Sequence, residues 1–259
     1  MRLSNILLCL FAFALLADAK PKHRKHMAAD QLCYAHFDIN NEYLQGNGLS
    51  LGDAVTIELL LRINSSSAGS QGYLIGRGDS VNLRLRYDGI NESVGTLTGL
   101  FQVGAGANTI TSSQLNVGQW YHVALVVDPN GLTRLYIDGA LNALASGSSP
   151  LDDSVSVLVI GNRKAGQSVG QAADIRQVLL WNTVRQAWEI AESAAGQIGS
   201  VPRPGLLGYW PLDADFNAAT GPNLVSATVP TIECEDVEAA AVECRSIECC
   251  DTEIYDYRS

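Results

Sequence analysis

Between residues 32 and 230 apolar and polar positions alternate in short runs, separated by clusters of Gly, Asn, Asp and Ser. In Val55–Ile63 the side chains of Val55, Ile57, Leu59, Leu61 and Ile63 share one face, and Glu58 stands alone among apolar neighbours. Residues 81–87 alternate more strictly, with Arg84 and Arg86 pointing away from the apolar face. Residues 97–103, 120–127, 133–137, 155–160, 175–181 and 206–212 read as further strands. Side chains of a strand point to opposite faces in turn, so a period of two marks strands with one face buried. Many such strands at close spacing predict an all-β sandwich or barrel.

Two local signals sharpen this picture. Residues 118–128 and 134–139 flank an Asp128-Pro129-Asn130-Gly131 turn, and Asp138-Gly139 closes the second run. Alternation on both sides of a Pro/Asn/Gly cluster predicts a hairpin. Residues 184–195 carry Val184, Ala187, Trp188 and Ile190 at helical spacing, with Thr183 as the expected N-cap. This single short helix directly follows a strand ending in Trp181-Asn182.

The hairpin, the strand–Trp–Asn–helix block, the opening Phe37-Asp38 and the closing Gly208-Tyr-Trp-Pro-Leu-Asp213 occur in the order seen in one known family. Together they resemble the laminin-G-like domains of the concanavalin A-like lectin/glucanase superfamily, and more distantly the pentraxins. The resemblance implies a two-sheet antiparallel jelly-roll sandwich over residues 31–231. Such sandwiches carry many functions, so the function must be argued from the site.

The two ends have a different character. Arg2, an apolar run over residues 6–16 and Ala17-Asp18-Ala19 have the order of a secretory signal peptide over residues 1–19, which predicts a secreted, extracellular protein. That run is short for a bilayer, and no other is as long and apolar, so no membrane span is expected. Residues 20–30 form a basic pro-segment or flexible arm. Residues 232–259 form an acidic, Cys-rich tail in which nine Asp and Glu stand against Arg245 and Arg258. Loss of residues 1–19 removes Arg2 and Asp18 and leaves the net charge at −10. That charge argues against nucleic acid and anionic membranes as partners. The remaining residues, about 240, suffice for one sandwich domain with a sizeable core.

Cys9 leaves with the signal peptide, and Cys33, Cys234, Cys244, Cys249 and Cys250 remain. Secretion predicts that they are largely oxidised. First and last strands commonly pair in the family resembled, which implies a Cys33–Cys234 bond; closing that loop is worth about 4–5 kcal/mol in the chain-entropy model. Three cysteines are then left, and adjacent Cys249 and Cys250 make a strained pair. The odd thiol is either inconsequential or joins a second chain, as a disulfide-linked homodimer or a matrix cross-link.

Catalytic chemistry finds little support. Retaining glucanases of this fold carry Glu-x-Asp-x-x-Glu on one strand, which brings two carboxylates together. That pattern is absent here; Glu58 is alone, and Glu189 and Glu192 read as solvated helix residues. His122 reads as structural, and no Ser/His/Asp set or zinc spacing is present. No enzyme activity is expected. Pentraxin-like calcium sites would fall at Asp79-Ser80 and at Gly161-Asn162-Arg163-Lys164, where bases replace the acids a hard cation needs. One calcium ion at Asp79 or Asp38 remains the cofactor expectation.

The expected function is therefore that of a binding module for a glycan or an extracellular-matrix protein. Its rim loops would contribute Arg77, Asp79, Asn162 and Arg163. The alternative is a structural component of a cross-linked coat, shell or biomineral matrix, anchored by the acidic tail. Arg77-Gly78-Asp79 also spells an integrin-type adhesion triplet. Asn64 and Asn91 head glycosylation sequons. Trp120, Trp181, Trp188 and Trp210 read as core residues rather than sugar platforms. Tyr255 and Tyr257 lie among acids suited to sulfation.

Overall fold

A computed structural model describes residues 31–38, 42–50, 52, 54–77, 83–103, 106–146, 157–163, 165, 169–197 and 203–236. The signal peptide, the basic arm, Asp79, Cys244, Cys249, Cys250, Tyr255 and Tyr257 lie outside them. One compact unit spans Leu32–Glu235; of the second unit only Gln31 and Asp236 are described.

Among the described residues fourteen strands build two antiparallel sheets. They are β1 (Gln31–Phe37), β2 (Leu44–Gly46), β3 (Val55–Ile63), β4 (Gln71–Arg77), β5 (Leu83–Gly89), β6 (Val94–Val103), β7 (Gly106–Asn116), β8 (Trp120–Asp128), β9 (Leu132–Ile137), β10 (Ala140–Ser146), β11 (Leu158–Ile160), β12 (Ala173–Trp181), β13 (Leu206–Trp210) and β14 (Thr231–Asp236). The eight-stranded sheet runs β10-β9-β8-β3-β12-β1-β14, with β13 attached to β12. The six-stranded sheet runs β2-β11-β4-β5-β6-β7. Among the described residues one α-helix, α1 (Ala187–Ala194), accompanies them, and no helix is long and apolar enough to cross a membrane.

The alternation read from β3 does bury one face. Val55, Ile57, Leu59, Leu61 and Ile63 are all at most 2% exposed and meet Leu83, Leu85, Tyr87, Leu97 and Phe101 of the other sheet in one core. Each such side chain contributes about 1.5–3 kcal/mol on leaving water. The predicted hairpin is β8–β9, paired from Val123↔Ile137 to Asp128↔Leu132. Its far end turns through Asp138 and Gly139, both at positive φ, as a two-residue hairpin loop requires.

In β12 the pairing with β3 shifts register between Arg176 and Leu179, and Gln177 adopts φ 55°. This bulge keeps Ile175, Val178 and Leu180 all in the main core, despite their broken period. It also turns Leu179 and Trp181 to the other face, where Leu206 covers them.

The helix starts later than its sequence pattern suggests. Val184 and Arg185 precede it, and Gln186, not Thr183, is the N-cap. The Gln186 backbone N–H donates to Glu189 Oε2 at 2.7 Å. Thr183 instead accepts a hydrogen bond at its carbonyl from the Thr56 hydroxyl at 2.8 Å. Ile190 is fully buried against Ala124, Val126 and Tyr136, so α1 closes the outer face of the eight-stranded sheet at β8 and β9. Trp188 lies on the other side of α1 and is 63% exposed, which corrects its reading as a core residue. Trp181 and Trp210 are buried, and Trp120 is half-buried.

The acidic tail does not begin at residue 232. Thr231–Asp236 forms β14 beside β1, and Cys234 bonds Cys33 across 201 residues of sequence. Composition hides this strand, because its acidic residues have partners on β1, β3 and β8.

Candidate functional site

Two outer faces are available to a ligand, and the sequence dresses them differently. On the eight-stranded sheet the polar residues are locked to one another. Glu58 is fully buried, with Oε2 3.3 Å from His122 Nε2 and Oε1 3.5 Å from Arg185 Nε. Glu58 is therefore not alone on its strand, as the sequence suggested, but paired from β8 and from the start of the α1 segment. Arg185 stacks 4.0 Å above the Trp181 ring and donates from Nη2 to Glu189 O and Ser193 Oγ. Burial removes this carboxylate from solvent and from any substrate.

Nearer β14, Asp174 is 2% exposed and takes three partners. Arg62 approaches at 2.7 Å, His36 Nδ1 lies at 2.7 Å, and Asn64 Nδ2 donates at 2.6 Å. Arg62 is sandwiched 4.9 Å from the Tyr34 ring and 4.8 Å from Trp120, and also holds Glu235 at 2.8 Å. Burial by itself lowers the His36 imidazole, but the hydrogen bond and charge of Asp174, with Glu233 and Asp38, outweigh it and raise its pKa. The Arg62 hydrogen bond holds Glu235 below the usual carboxylate range. These contacts are a clasp around β14.

The six-stranded sheet carries a different outer face. Register pairs Tyr73 of β4 with Arg86 of β5, Arg86 with Thr98 of β6, and Thr98 with Thr111 of β7. The row on one side of it runs Arg84, Leu100 and Thr109, and the row on its other side Asp88, Thr96 and Gln114. Thr109 and Thr111 are exposed, Tyr73, Arg86, Thr96 and Leu100 half-buried, and Arg84 and Thr98 buried. Thr98 and Thr111 hydroxyls lie 3.4 Å apart. Among the described residues no helix or further strand covers this face. Among the described residues the loop after β11 reaches over it, at β4.

That loop determines where the rim residues predicted from sequence fall. Gly161 turns at φ 85° and donates its N–H to Leu74 O at 2.7 Å. Asn162 is then fully buried, with its Oδ1 accepting the Arg163 N–H at 2.8 Å. The Arg163 backbone lies on Gly76, where any Cβ would collide with its carbonyl. Its guanidinium comes to 5.5 Å from the Tyr73 ring, and Arg84 lies 5.8 Å from the same ring. Arg77, at the end of β4, is 1% exposed. Of the rim set, Arg77 and Asn162 are thus interior, Asp79 falls outside the described residues, and Arg163 joins the sheet face. Tyr73 was not expected from sequence; the signal available was the outward pair Arg84 and Arg86 on the adjoining strand.

Burial would raise the Tyr73 phenol, but hydrogen bonding to Arg163 and Arg86 and the charges of Arg84 and Arg86 prevail and lower it. Arg86 is held from below by Asp88, Nε to Oδ1 at 2.8 Å. Chemically this is a row of hydroxyl and guanidinium donors on a rigid sheet, suited to polyhydroxylated ligands.

Asp38 is exposed; its Oδ1 lies 3.6 Å from His36 Nε2, and its N–H donates to Glu42 Oε2 at 2.7 Å. Among the described residues no group of three or more His, Cys, Asp or Glu is placed to hold a metal ion. The sequons also differ: Asn64 is tied to Asp174, whereas exposed Asn91 uses Oδ1 to accept the Ser93 and Val94 N–H groups.

Residues 37–191 match the concanavalin A-like lectin/glucanases superfamily, laminin-G type 3. The chain belongs to this superfamily. Its sandwich is similar to the crystal structure of a candidate carbohydrate binding protein from Bacteroides ovatus, at 20% identity and a TM-score of 0.63 over 80% of this chain and 60% of that one. A heptameric SAP-like pentraxin from Limulus polyphemus aligns at 14% identity and a TM-score of 0.57, over 79% of this laminin-G-type chain and 94% of the pentraxin. Tailspike protein 2 of Escherichia coli O157:H7 bacteriophage CAB120 aligns at 15% identity and a TM-score of 0.52, over 70% of this chain and 26% of the tailspike. At these identities the likeness is one of fold. No curated protein matches the sequence.

Proposed function

We propose that this laminin-G-type sandwich is a secreted, non-catalytic glycan-binding module whose ligand lies on the outer face of the six-stranded sheet. The observation that carries the reading is the row Tyr73, Arg86, Thr98 and Thr111, which spans four strands at one register level. Sugars are bound by fixed donors and acceptors on a preorganised surface, with an aromatic group to fix orientation. Superfamily membership supports it, as does the fold shared with a candidate carbohydrate binding protein. The buried Glu58 and the missing Glu-x-Asp-x-x-Glu pattern weigh against a glycoside hydrolase.

A glycan array on the secreted protein, in calcium and in EDTA, tests this. Binding that Tyr73→Ala abolishes supports the face; binding unaffected by Tyr73→Ala refutes it. Loss in EDTA would move attention to Asp79 and a calcium-dependent rim.

One observation favours a second, structural reading. Cys33 and Cys234 are consumed by a disulfide, so Cys244, Cys249 and Cys250 remain as an odd set after Ala19. A covalent dimer or cross-linked matrix would use the odd thiol. Non-reducing electrophoresis of the secreted protein, with and without residues 237–259, separates this reading from a monomeric lectin.

A further inference from the structure

We infer that the folded protein carries an N-linked glycan on Asn91 and leaves its other sequon, at Asn64, bare. The inference rests on the secretion reading, because this modification is made on the secretory route. Both sequons end in Ser, as Asn64-Ser65-Ser66 and Asn91-Glu92-Ser93, so the sequence does not choose between them. The choice lies in which atom of each amide the fold uses.

The sugar donor is an oligosaccharide activated through a lipid diphosphate. The Asn Nδ2 attacks the sugar C1, the C1–O bond to the diphosphate breaks with its electron pair on the leaving oxygen, and Nδ2 gives up one of its two protons. The product keeps Oδ1 as an acceptor, but its nitrogen holds a single hydrogen and a bulky substituent.

At Asn91 the fold uses Oδ1. This oxygen accepts the Ser93 N–H at 2.8 Å and the Val94 N–H at 3.0 Å, an Asx turn that closes the connection from β5 to β6. Two backbone donors require an oxygen opposite them, so the orientation of the amide follows from its partners. Nδ2 is the other end of an exposed side chain, flanked by exposed Ile90, Glu92 and Ser93. The turn is also held by its backbone, with Ile90 and Asn91 donating to Val94 O at 3.0 and 3.1 Å. A sugar on Nδ2 therefore breaks none of the bonds that make the turn.

At Asn64 the fold uses Nδ2. It donates to Asp174 Oδ1 at 2.6 Å and lies 3.4 Å from His36 Nδ1. An ionised carboxylate only accepts, so the nitrogen has to face it. Asp174 is 2% exposed and already meets Arg62 and His36 at 2.7 Å. A sugar carbon on Nδ2 must displace His36 or draw the amide off Asp174, which leaves a buried carboxylate short of a donor. The transferase meets both acceptors on the unfolded chain; closure of the clasp then separates the products. The turn from β5 to β6, by contrast, stays in water in any assembly, because a glycan is bulky and solvated.

The full chain, produced with its own N-terminus in cultured eukaryotic cells, tests this. Enzymatic release of N-glycans in heavy-oxygen water converts each carrier Asn to a labelled Asp, and peptides from medium and lysate are mapped by mass spectrometry. The expected result is the label at position 91 and an unmodified Asn64 in the secreted protein. Ser93→Ala, which keeps the Asn91 side chain, should lose the N-glycan mass. Asn91→Asp, which keeps an acceptor for the Ser93 and Val94 N–H groups, should lose it too and be secreted as the native chain is. A glycan on Asn64 of the secreted protein, or a bare Asn91, overturns the inference. Protein held inside the cells but labelled at position 91 alone overturns the secretion reading and keeps this inference. Protein held there without label overturns both.

Discussion

His36 Nδ1 lies 2.7 Å from Asp174 Oδ1, and this contact ties β1 to β12 beneath the C-terminal strand. The imidazole pKa is raised above its ordinary 6.5, so folding favours the protonated form. Its contribution is complete below pH 6.5 and is lost as pH climbs through the folded value. Glu235 is shifted the opposite way, below its ordinary 4.5, chiefly by Arg62. Its contribution is present above 4.5 and lost as pH falls through the depressed value. The clasp is thus strongest between about pH 4.5 and 6.5. Thermal unfolding followed from pH 4 to 9 should show a fall in Tm on the alkaline side that His36→Gln flattens. An identical alkaline slope in His36→Gln would remove His36 from the clasp.

The Cys33–Cys234 bond closes a loop of 201 residues and joins neighbouring strands β1 and β14. Replacing both cysteines with serine should cost about 2–5 kcal/mol in urea unfolding. Reducing agent should shift the midpoint of the native protein and leave the double variant unmoved. Equal midpoints for native and double-serine protein would mean that the clasp alone holds β14.

Glu58 and Arg185 form a buried pair at 3.5 Å, with His122 on the other carboxylate oxygen. Removing one partner strands a charge in the interior, so Arg185→Met should cost about 3–5 kcal/mol. The double change Glu58→Leu with Arg185→Met should cost less than the sum of the singles, because neither charge is then left. Additive costs in a double-mutant cycle would show that the groups do not interact.

The sequence made some of this legible and concealed the rest for physical reasons. Strands with one buried face announced themselves, as Val55–Ile63 did, because period two survives wherever one side meets the core. The β7 strand did not, since in Gly106–Asn116 the core residues Ile110 and Leu115 are set among Thr, Ser, Asn and Gln. Residues 232–236 read as tail because their carboxylates look solvated until Arg62, Trp120 and His36 are seen beside them. Trp188 misled through helical spacing, which places a residue on a stripe without saying which side of the stripe faces the sheet. The site was only half visible. Arg84 and Arg86 were seen to point outward, and Arg163 was singled out. That Tyr73 lies between them depends on sheet order and on the turn at Gly161, neither of which a linear motif records.

The most direct test of the account is glycan affinity in Tyr73→Ala compared with Trp188→Ala, measured by titration calorimetry on the array's best ligand. Tyr73 is half-buried in the donor row of the six-stranded sheet, whereas Trp188 is exposed on α1, which packs on the eight-stranded sheet. If the ligand lies on the six-stranded sheet, Tyr73→Ala should lose about tenfold or more in affinity while Trp188→Ala binds as the native protein does. Native affinity in Tyr73→Ala, with the loss appearing in Trp188→Ala, would place the ligand on the helix side and contradict the account.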